Sequence, residues 1–262
     1  MSPVPLRLES SQQMRIVESV DVDCSPIRRC TRSDLGGGEG MKLSALAAQS
    51  GVSTTTLKHW IKVGVMPAGS LKNRTTAVYE QRHVDRARLI LVLRDMYGAS
   101  TAAILALTGF IDTPGVTTLE VMNACQAFAL GVPDDIATDP GYDEFRERTH
   151  ELMRRRDWRG YPGAAERGLT FALAQASQVG LDYDVETLMQ YADALEPLAS
   201  GNVAALQPDG SADEVARRML LAVNARARQL VAVSSLAHAA ASVRSAIERG
   251  AAPADIARPP AP

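Results

Sequence analysis

The 262-residue chain has little cysteine: Cys24, Cys30 and Cys125 are its only thiols, an odd number without CxxC spacing. That count excludes a disulfide framework and removes the usual signature of a zinc site or a redox couple. The three read as structurally incidental, two in a polar N-terminal segment and Cys125 in an apolar helical stretch. Charge of one sign is lacking as well, since 28 Lys and Arg stand against 30 Asp and Glu for a formal net charge of -2. No apolar run reaches the roughly 18 residues that a membrane span needs, and residues 1–40 contain no apolar segment of the signal-peptide kind. Neither secretion nor a membrane is expected, and the chain reads as cytoplasmic. Aromatics are sparse at 5%, while 46% hydrophobic and 22% charged is the balance of an ordinary soluble globular protein. The length allows one large domain or two modest ones, and two is the better starting reading.

The near-neutral average conceals a division. Residues 1–40 mix Pro, Ser, Gly and scattered charges, end in GGGEG and show no apolar period, which reads as a disordered N-terminal arm. Met41 follows at once, a placement that equally permits translation to begin there. Residues 41–112 carry a balance of +5, and residues 113–262 a balance of -6. Residues 253–262, rich in Pro and Ala, read as a disordered tail. The expected organisation is therefore an arm (1–40), a basic domain (41–112), an acidic all-α domain (113–252) and a tail (253–262).

In the basic domain, Leu43, Leu46 and Ala47 recur at helical spacing, and Gly51 stops that helix with the positive φ that a tight interhelical turn requires. Val52 is placed to plug the angle, and Ser53 to cap the next helix. At 100° per residue Leu57, Trp60 and Ile61 share one face, and Thr55, Lys58, His59 and Lys62 share the other. Hydroxyls and lysines on an outward face suit base edges and phosphates; the same pattern also describes a solvated surface helix. Val65-Met66-Pro67 ends the pair, a polar loop with Lys72, Asn73 and Arg74 follows, and Thr76–Tyr79 returns as a short β-like run, giving a two-stranded wing. A third helix, Glu80–Tyr97, buries Val84, Ala87, Ile90, Leu91 and Met96 and leaves Arg82, Arg86 and Arg88 available. Ser100 caps a fourth, whose Ile104, Leu105 and Leu107 close the small core before Pro114.

KLSALAAQSGVSTTTLKHWIKVGVMPAG, followed by AVYEQRHVDRARLILVLRDMYGASTAAILAL, resembles the DNA-binding domain of the MerR family of bacterial transcription regulators over residues 41 to about 112. The resemblance implies a dimer whose second helix enters the major groove of promoter DNA while wing and third helix grip phosphates. It also implies that paired protomers distort an overlong promoter spacer so that RNA polymerase can engage it. Carried over by position, Lys58 matches the family's recognition-helix arginine, His59 and Trp60 a common tyrosine pair, Tyr79 the wing tyrosine, and Arg74 the wing's basic contact. Lysine offers a point charge where arginine offers a planar fork, and Trp60 points inward on the helical wheel. The candidate DNA-contacting set is Ser53, Thr54, Thr55, Thr56, Lys58, His59, Lys62, Lys72, Asn73, Arg74, Tyr79, Arg82 and Arg86. Deforming a spacer that the protein barely touches would add specificity on the order of a few kcal/mol. Neutralising several phosphates would make affinity fall steeply with salt. A regulator of this kind sits on the nucleoid.

The acidic remainder reads as helices at roughly 117–130, 141–156, 161–179, 184–199 and 212–249, separated by Pro, Gly or Asp turns. The fold class is thus mainly α, an N-terminal winged helix-turn-helix plus a C-terminal helical bundle domain. This remainder loosely resembles the helical C-terminal domains attached to MerR-type DNA-binding domains in some actinobacterial regulators. With only Cys125 nearby, paired thiolates for metal sensing are not expected, and no cofactor is implied. The last helix, Ala212–Arg249, carries Val215, Met219, Val223, Leu230, Val233 and Leu236 and a second half rich in Ala and Ser. It suits either the core of a bundle or contact with its own copy.

Eight of the twelve aromatics lie in the remainder. Phe145, Trp158, Tyr161 and Tyr191 are candidates to line a pocket for a small apolar or cationic effector, with Glu186 or Asp193 for charge. Core packing of a bundle explains the same residues. MRRRDWRGYP, residues 153–162, reads either as a contact for DNA or polymerase or as cations answering a helix C-terminus. No enzyme is expected: His150 and His238 are isolated, with no nucleophile elbow, phosphate-cradling loop or metal-like set of acids. His150 reads as a surface residue and His238 as a satisfied one within a packed helix. A DNA-anchored assembly protein or a repressor without a ligand is the alternative to a sensor.

Overall fold

The structure, a computed structural model, describes residues 40–71, 73, 76–158, 163–203 and 210–250. Residues 1–39 of the expected arm and the expected tail (253–262), together with Lys72, Arg74 and Tyr161, lie outside these residues. Helix α1 (Leu43–Ser50) ends at Gly51, which takes φ 75° and donates its N–H to the Ala47 carbonyl at 3.0 Å. The left-handed glycine satisfies a carbonyl that the helix end would otherwise leave open. Ser53 then accepts the Thr56 N–H at 3.1 Å and starts α2 (Thr54–Lys62). Leu46, Val52, Leu57 and Trp60 are buried between the two helices, as their spacing predicts.

The wing consists of β1 (Ser70–Leu71) and β2 (Ala77–Val78), paired antiparallel with Ser70 opposite Val78. Met41 and Tyr79 exchange backbone hydrogen bonds at 2.7 and 2.8 Å, so the start of the domain is stitched to the returning strand. Helix α3 (Gln81–Leu91) opens with a cap that the sequence reading overlooked: the Glu80 N–H donates to Nδ1 of His83, which is fully buried. A π-helical turn, Val92–Met96, follows. Its longer hydrogen-bond loop shifts the side-chain phase relative to an α-helix. Leu93 is consequently buried and Met96 is 41% exposed, which corrects the expectation that Met96 lies on the buried side. On α4 (Thr101–Ile111), Ile104, Leu107, Thr108 and Ile111 face inward, while Leu105 is exposed rather than part of the core.

Four of the remaining helices, α5 (Thr118–Leu130), α6 (Asp143–Arg155), α7 (Ala164–Gln178) and α8 (Val185–Val203), lie within a few residues of their expected bounds. Helix α9 (Ala212–Glu248) completes the chain. Their ends are set by local chemistry. Thr117 and Glu120 form a reciprocal capping box at α5, Gly131 closes it in the left-handed region, and Ser211 caps α9.

The core does not stop at residue 112. Val121 and Cys125 of α5 and Ala216, Met219 and Leu220 of α9 belong to the same buried cluster as Leu57, Trp60, Ile90 and Leu107. α5 packs on α9 and α7, and α9 packs on α3. The Tyr97 hydroxyl donates to the Leu220 carbonyl at 2.7 Å. Cys125 is an inert part of this core, its thiol pushed up to about 12 by burial. A second, smaller cluster of Leu152, Leu173, Leu188 and Ala192 joins α6, α7 and α8.

Candidate nucleic-acid interface

Burying Leu57 and Trp60 turns the opposite side of α2 to solvent, where Thr54, Thr55, Lys58, His59 and Lys62 are exposed side by side. Ser53 is exposed at the helix start, and its hydroxyl lies 2.8 Å from that of the half-buried Thr56, so these two serve the cap. Lys58 and Lys62 form no ion pair among the described residues, which leaves both ammonium groups available to phosphate. Arg94 extends this surface, with its guanidinium 5.9 Å from the centre of the Trp60 ring. Together with His59, Ser100 and Thr101, Arg94 lines a polar cleft of about 240 Å³ beside α2. The sequence reading left Arg94 out of the site, because only the turn after α3 brings it back next to α2.

Of the wing residues, Asn73 is exposed and its side-chain oxygen accepts the Thr76 N–H at 2.8 Å, an arrangement that bends the loop. Lys72 and Arg74, the expected cations of the tip, fall outside the described residues. Gly69 governs how closely the wing folds back: a Cβ there would sit 2.6 Å from the Val78 carbonyl oxygen and 3.0 Å from the Tyr79 ring. Because that oxygen belongs to the backbone, Gly69→Ala is expected to displace the wing. It should destabilise the protein by about 1–3 kcal/mol in urea unfolding and weaken DNA binding while α2 stays helical.

Two expected contacts turn inward. Tyr79 is 6% exposed and packs edge-on against His83 at 5.3 Å, so its ring supports the wing and does not present itself to a duplex. Arg86 is 3% exposed. Its Nε donates to Asp213 at 2.6 Å, and its two terminal nitrogens donate to Asp112 at 3.0 and 2.5 Å. All three guanidinium nitrogens donate to buried or neighbouring carboxylates, so Arg86 is a structural clasp between α3 and α9 and not a phosphate contact. Burial opposes its charge, but the hydrogen bonds and charges of Asp112 and Asp213 outweigh burial and hold its pKa above the ordinary value. Next to it, Ser211 donates to Asp85 at 2.7 Å. Arg82 remains exposed, 3.2 Å from Glu80, and Arg88 donates to the Gln49 carbonyl.

In the second cluster, a cleft of about 450 Å³ opens between α6, α7 and α8. Trp158 and Tyr191 line it with Tyr183, Leu169, Leu173 and Leu195, whereas Phe145 packs against the cluster from outside the cleft. The carboxylates expected to supply charge are engaged. Glu186 accepts from Arg155 at 2.6 Å, Asp193 from Arg156 at 2.6 Å, and Glu196 from Arg156 and the Trp158 indole. Arg155 and Arg156 thus tie the end of α6 to α8, while Arg154 pairs with Glu147 and Glu151 of its own helix. His150 pairs with Glu166 at 2.6 Å, and His238 is exposed on α9, which corrects its expected place in a packed helix.

A helix-turn-helix with a short wing and a cationic second helix is the architecture of a DNA-binding head, and its core continues here into the helices behind it. Residues 41–108 match the family model described as MerR HTH family regulatory protein. Among curated proteins none matches. The solved structure of the putative transcriptional regulator SCO5550 from Streptomyces coelicolor A3(2) is similar over 81% of this chain and 99% of that one. The TM-score is 0.53 at 21% identity, a likeness of fold.

Proposed function

We propose that the protein is a sequence-specific transcription regulator that binds promoter DNA as a homodimer and distorts the spacer to control RNA polymerase. The observation that carries this reading is the exposed row of Thr54, Thr55, Lys58, His59 and Lys62 on a helix whose other side is locked into the core. Short hydroxyls read base edges, and unpaired ammonium groups neutralise phosphate. The MerR family match of the head supports it. Asn73 of the wing and Arg82 add backbone contacts, and the expected wing cations Lys72 and Arg74 are proposed to do the same. Footprinting on DNA upstream of the protein's own gene, with and without polymerase, tests the reading. A protected site across an overlong spacer with hypersensitive central positions is expected, and no protection at low salt refutes it.

The cleft lined by Trp158 and Tyr191 is the proposed effector site. Because its nearby carboxylates already hold arginines, the effector is a neutral apolar molecule and not a cation. A panel of neutral aromatic compounds is expected to include one that raises the melting temperature, by mass action on the folded state. That compound should also quench Trp158 fluorescence, and Leu173→Arg, which places a charge in the cleft, should abolish both effects.

A further inference from the structure

The imidazole of His83 stands at the root of the wing and is fully buried. Its Nδ1 accepts the Glu80 N–H at 2.9 Å, its Nε2 lies 3.5 Å from the Ala68 carbonyl oxygen, and its ring meets Tyr79 edge-on at 5.3 Å. Ala68 leads into β1, Tyr79 follows β2 and Glu80 precedes α3, so one ring touches every segment that sets the angle of the wing. An Nδ1 that accepts a backbone N–H carries no proton of its own, which leaves the single ring proton on Nε2, aimed at Ala68.

We infer that His83 is the positioning residue of the wing and that a second ring proton releases it, so that the protein lets go of DNA in mild acid; the inference rests on the DNA reading above. A proton on Nδ1 would face the Glu80 N–H donor to donor, and the cap would be lost. The new charge would also meet no free carboxylate among the described residues. The Glu80 carboxylate accepts the backbone N–H of His83 itself and holds Arg82 at 3.2 Å. Asp85 accepts from Gln81 and Ser211, and Asp112 and Asp213 are bound to Arg86. From the wing the ring meets only the Tyr79 ring and the Ala68 carbonyl, and Arg86, one turn along α3, adds a like charge. A buried imidazolium in this place is relieved by opening the root of the wing.

The other three histidines of the chain lose nothing by gaining a proton. His59 on α2 and His238 on α9 are exposed, and His150 faces Glu166 at 2.6 Å. A charged His59 would hold phosphate more tightly, the opposite of what His83 does. Burial keeps the Asp213 carboxyl above its usual range, so acid favours its folded form. Ordinary carboxylates stay charged at about pH 5.5. Mild acid should therefore displace the wing while Leu57 and Trp60 keep α2 seated in the core.

Fluorescence anisotropy of the full chain on the DNA fragment protected in footprinting tests this latch. Affinity should fall at least ~10-fold from about pH 7.5 to about pH 5.5, the span in which histidine takes up its proton, and the salt slope should flatten as the wing leaves its phosphates. His83→Asn sets an amide oxygen near the place of Nδ1, an acceptor that acid does not charge. This variant should bind within ~3-fold of the unaltered protein at the higher pH and lose the pH dependence. NMR of the isotope-labelled, unaltered protein needs neither the variant nor DNA. Near pH 7.5 the His83 ring should be neutral with its proton on Nε2. On acidification the ring and the Glu80 amide should shift with one midpoint, and the Tyr79 amide, which donates to Met41 at 2.8 Å, should exchange faster. A proton on Nδ1 near pH 7.5, a ring that stays neutral down to about pH 5.5, a ring that charges while both amides stay unchanged, or a loss of affinity that persists in His83→Asn overturns the proposal. Coupled shifts of ring and amides in a protein that leaves no footprint support the latch and refute the DNA reading instead.

Discussion

Arg86→Met is expected to destabilise the protein by about 3–5 kcal/mol in urea unfolding near neutral pH, the effect of leaving one member of a buried ion pair alone. The charge left behind is Asp213, which is 7% exposed and loses its 2.6 Å partner. Asp112 is far more exposed and can be rehydrated. The effect depends on pH in a defined sense. Burial holds the Asp213 carboxyl above its usual range, with Arg86 pulling the other way. The folded chain therefore keeps that proton at pH values where the unfolded chain has released it, and this group's contribution to stability falls as pH rises through the interval. Removing Arg86 takes away the opposing pull and raises the carboxyl further. The deficit of the variant should then be small at pH 4, where Asp213 is protonated in the variant's folded state, and should grow towards pH 7. Adding Asp213→Asn should recover much of the loss at pH 7 and little at pH 4. A deficit that does not vary with pH would remove Asp213 from the explanation.

Lys58→Ala with Lys62→Ala is expected to leave the melting temperature within the range of ordinary surface changes and to lower DNA affinity by one to two orders of magnitude at low salt. The slope of log K against log salt should flatten by about 0.9 for each phosphate that is no longer neutralised. Thr55→Val should reduce discrimination between sites with little change in slope, since a hydroxyl reads a base edge or a single oxygen without releasing a counterion. An unchanged slope in the lysine pair, measured by fluorescence anisotropy across a salt series, would detach α2 from the duplex.

What the sequence made legible was whatever is decided within a few residues. Gly51, Ser53, Ser100, Thr117, Gly131 and Ser211 act on neighbours three or four positions away, and the helices begin and end where these caps stand. The same holds for the inward turn of Leu57 and Trp60. Illegible was whatever depends on distant partners. Arg86 reads as one more cation on an amphipathic helix, and its partners lie 26 and 127 residues further along the chain. Nothing local distinguishes it from Arg82, four positions away and exposed. Met96 was misplaced because a single π turn changes the period, and composition carries no mark of that turn. Phe145 and Trp158 look alike as aromatics of the bundle, and only the packing of α6 on α8 puts one of them in the cleft. His83 carried a signal that was available: a histidine three residues after an acidic helix start can receive the backbone N–H that a capping glutamate or glutamine would take.

The shared interior of the head and the last helix bears on how the gene can be subdivided. A fragment ending at residue 112 would keep the whole helix-turn-helix and wing, yet uncover Ile90 and Leu107, which share their burial with Val121, Ala216 and Leu220. It would also strip Arg86 of its Asp213 ligand. Expressed alone, that fragment should be sticky and poorly folded, and a truncation meant to isolate DNA recognition would sacrifice it.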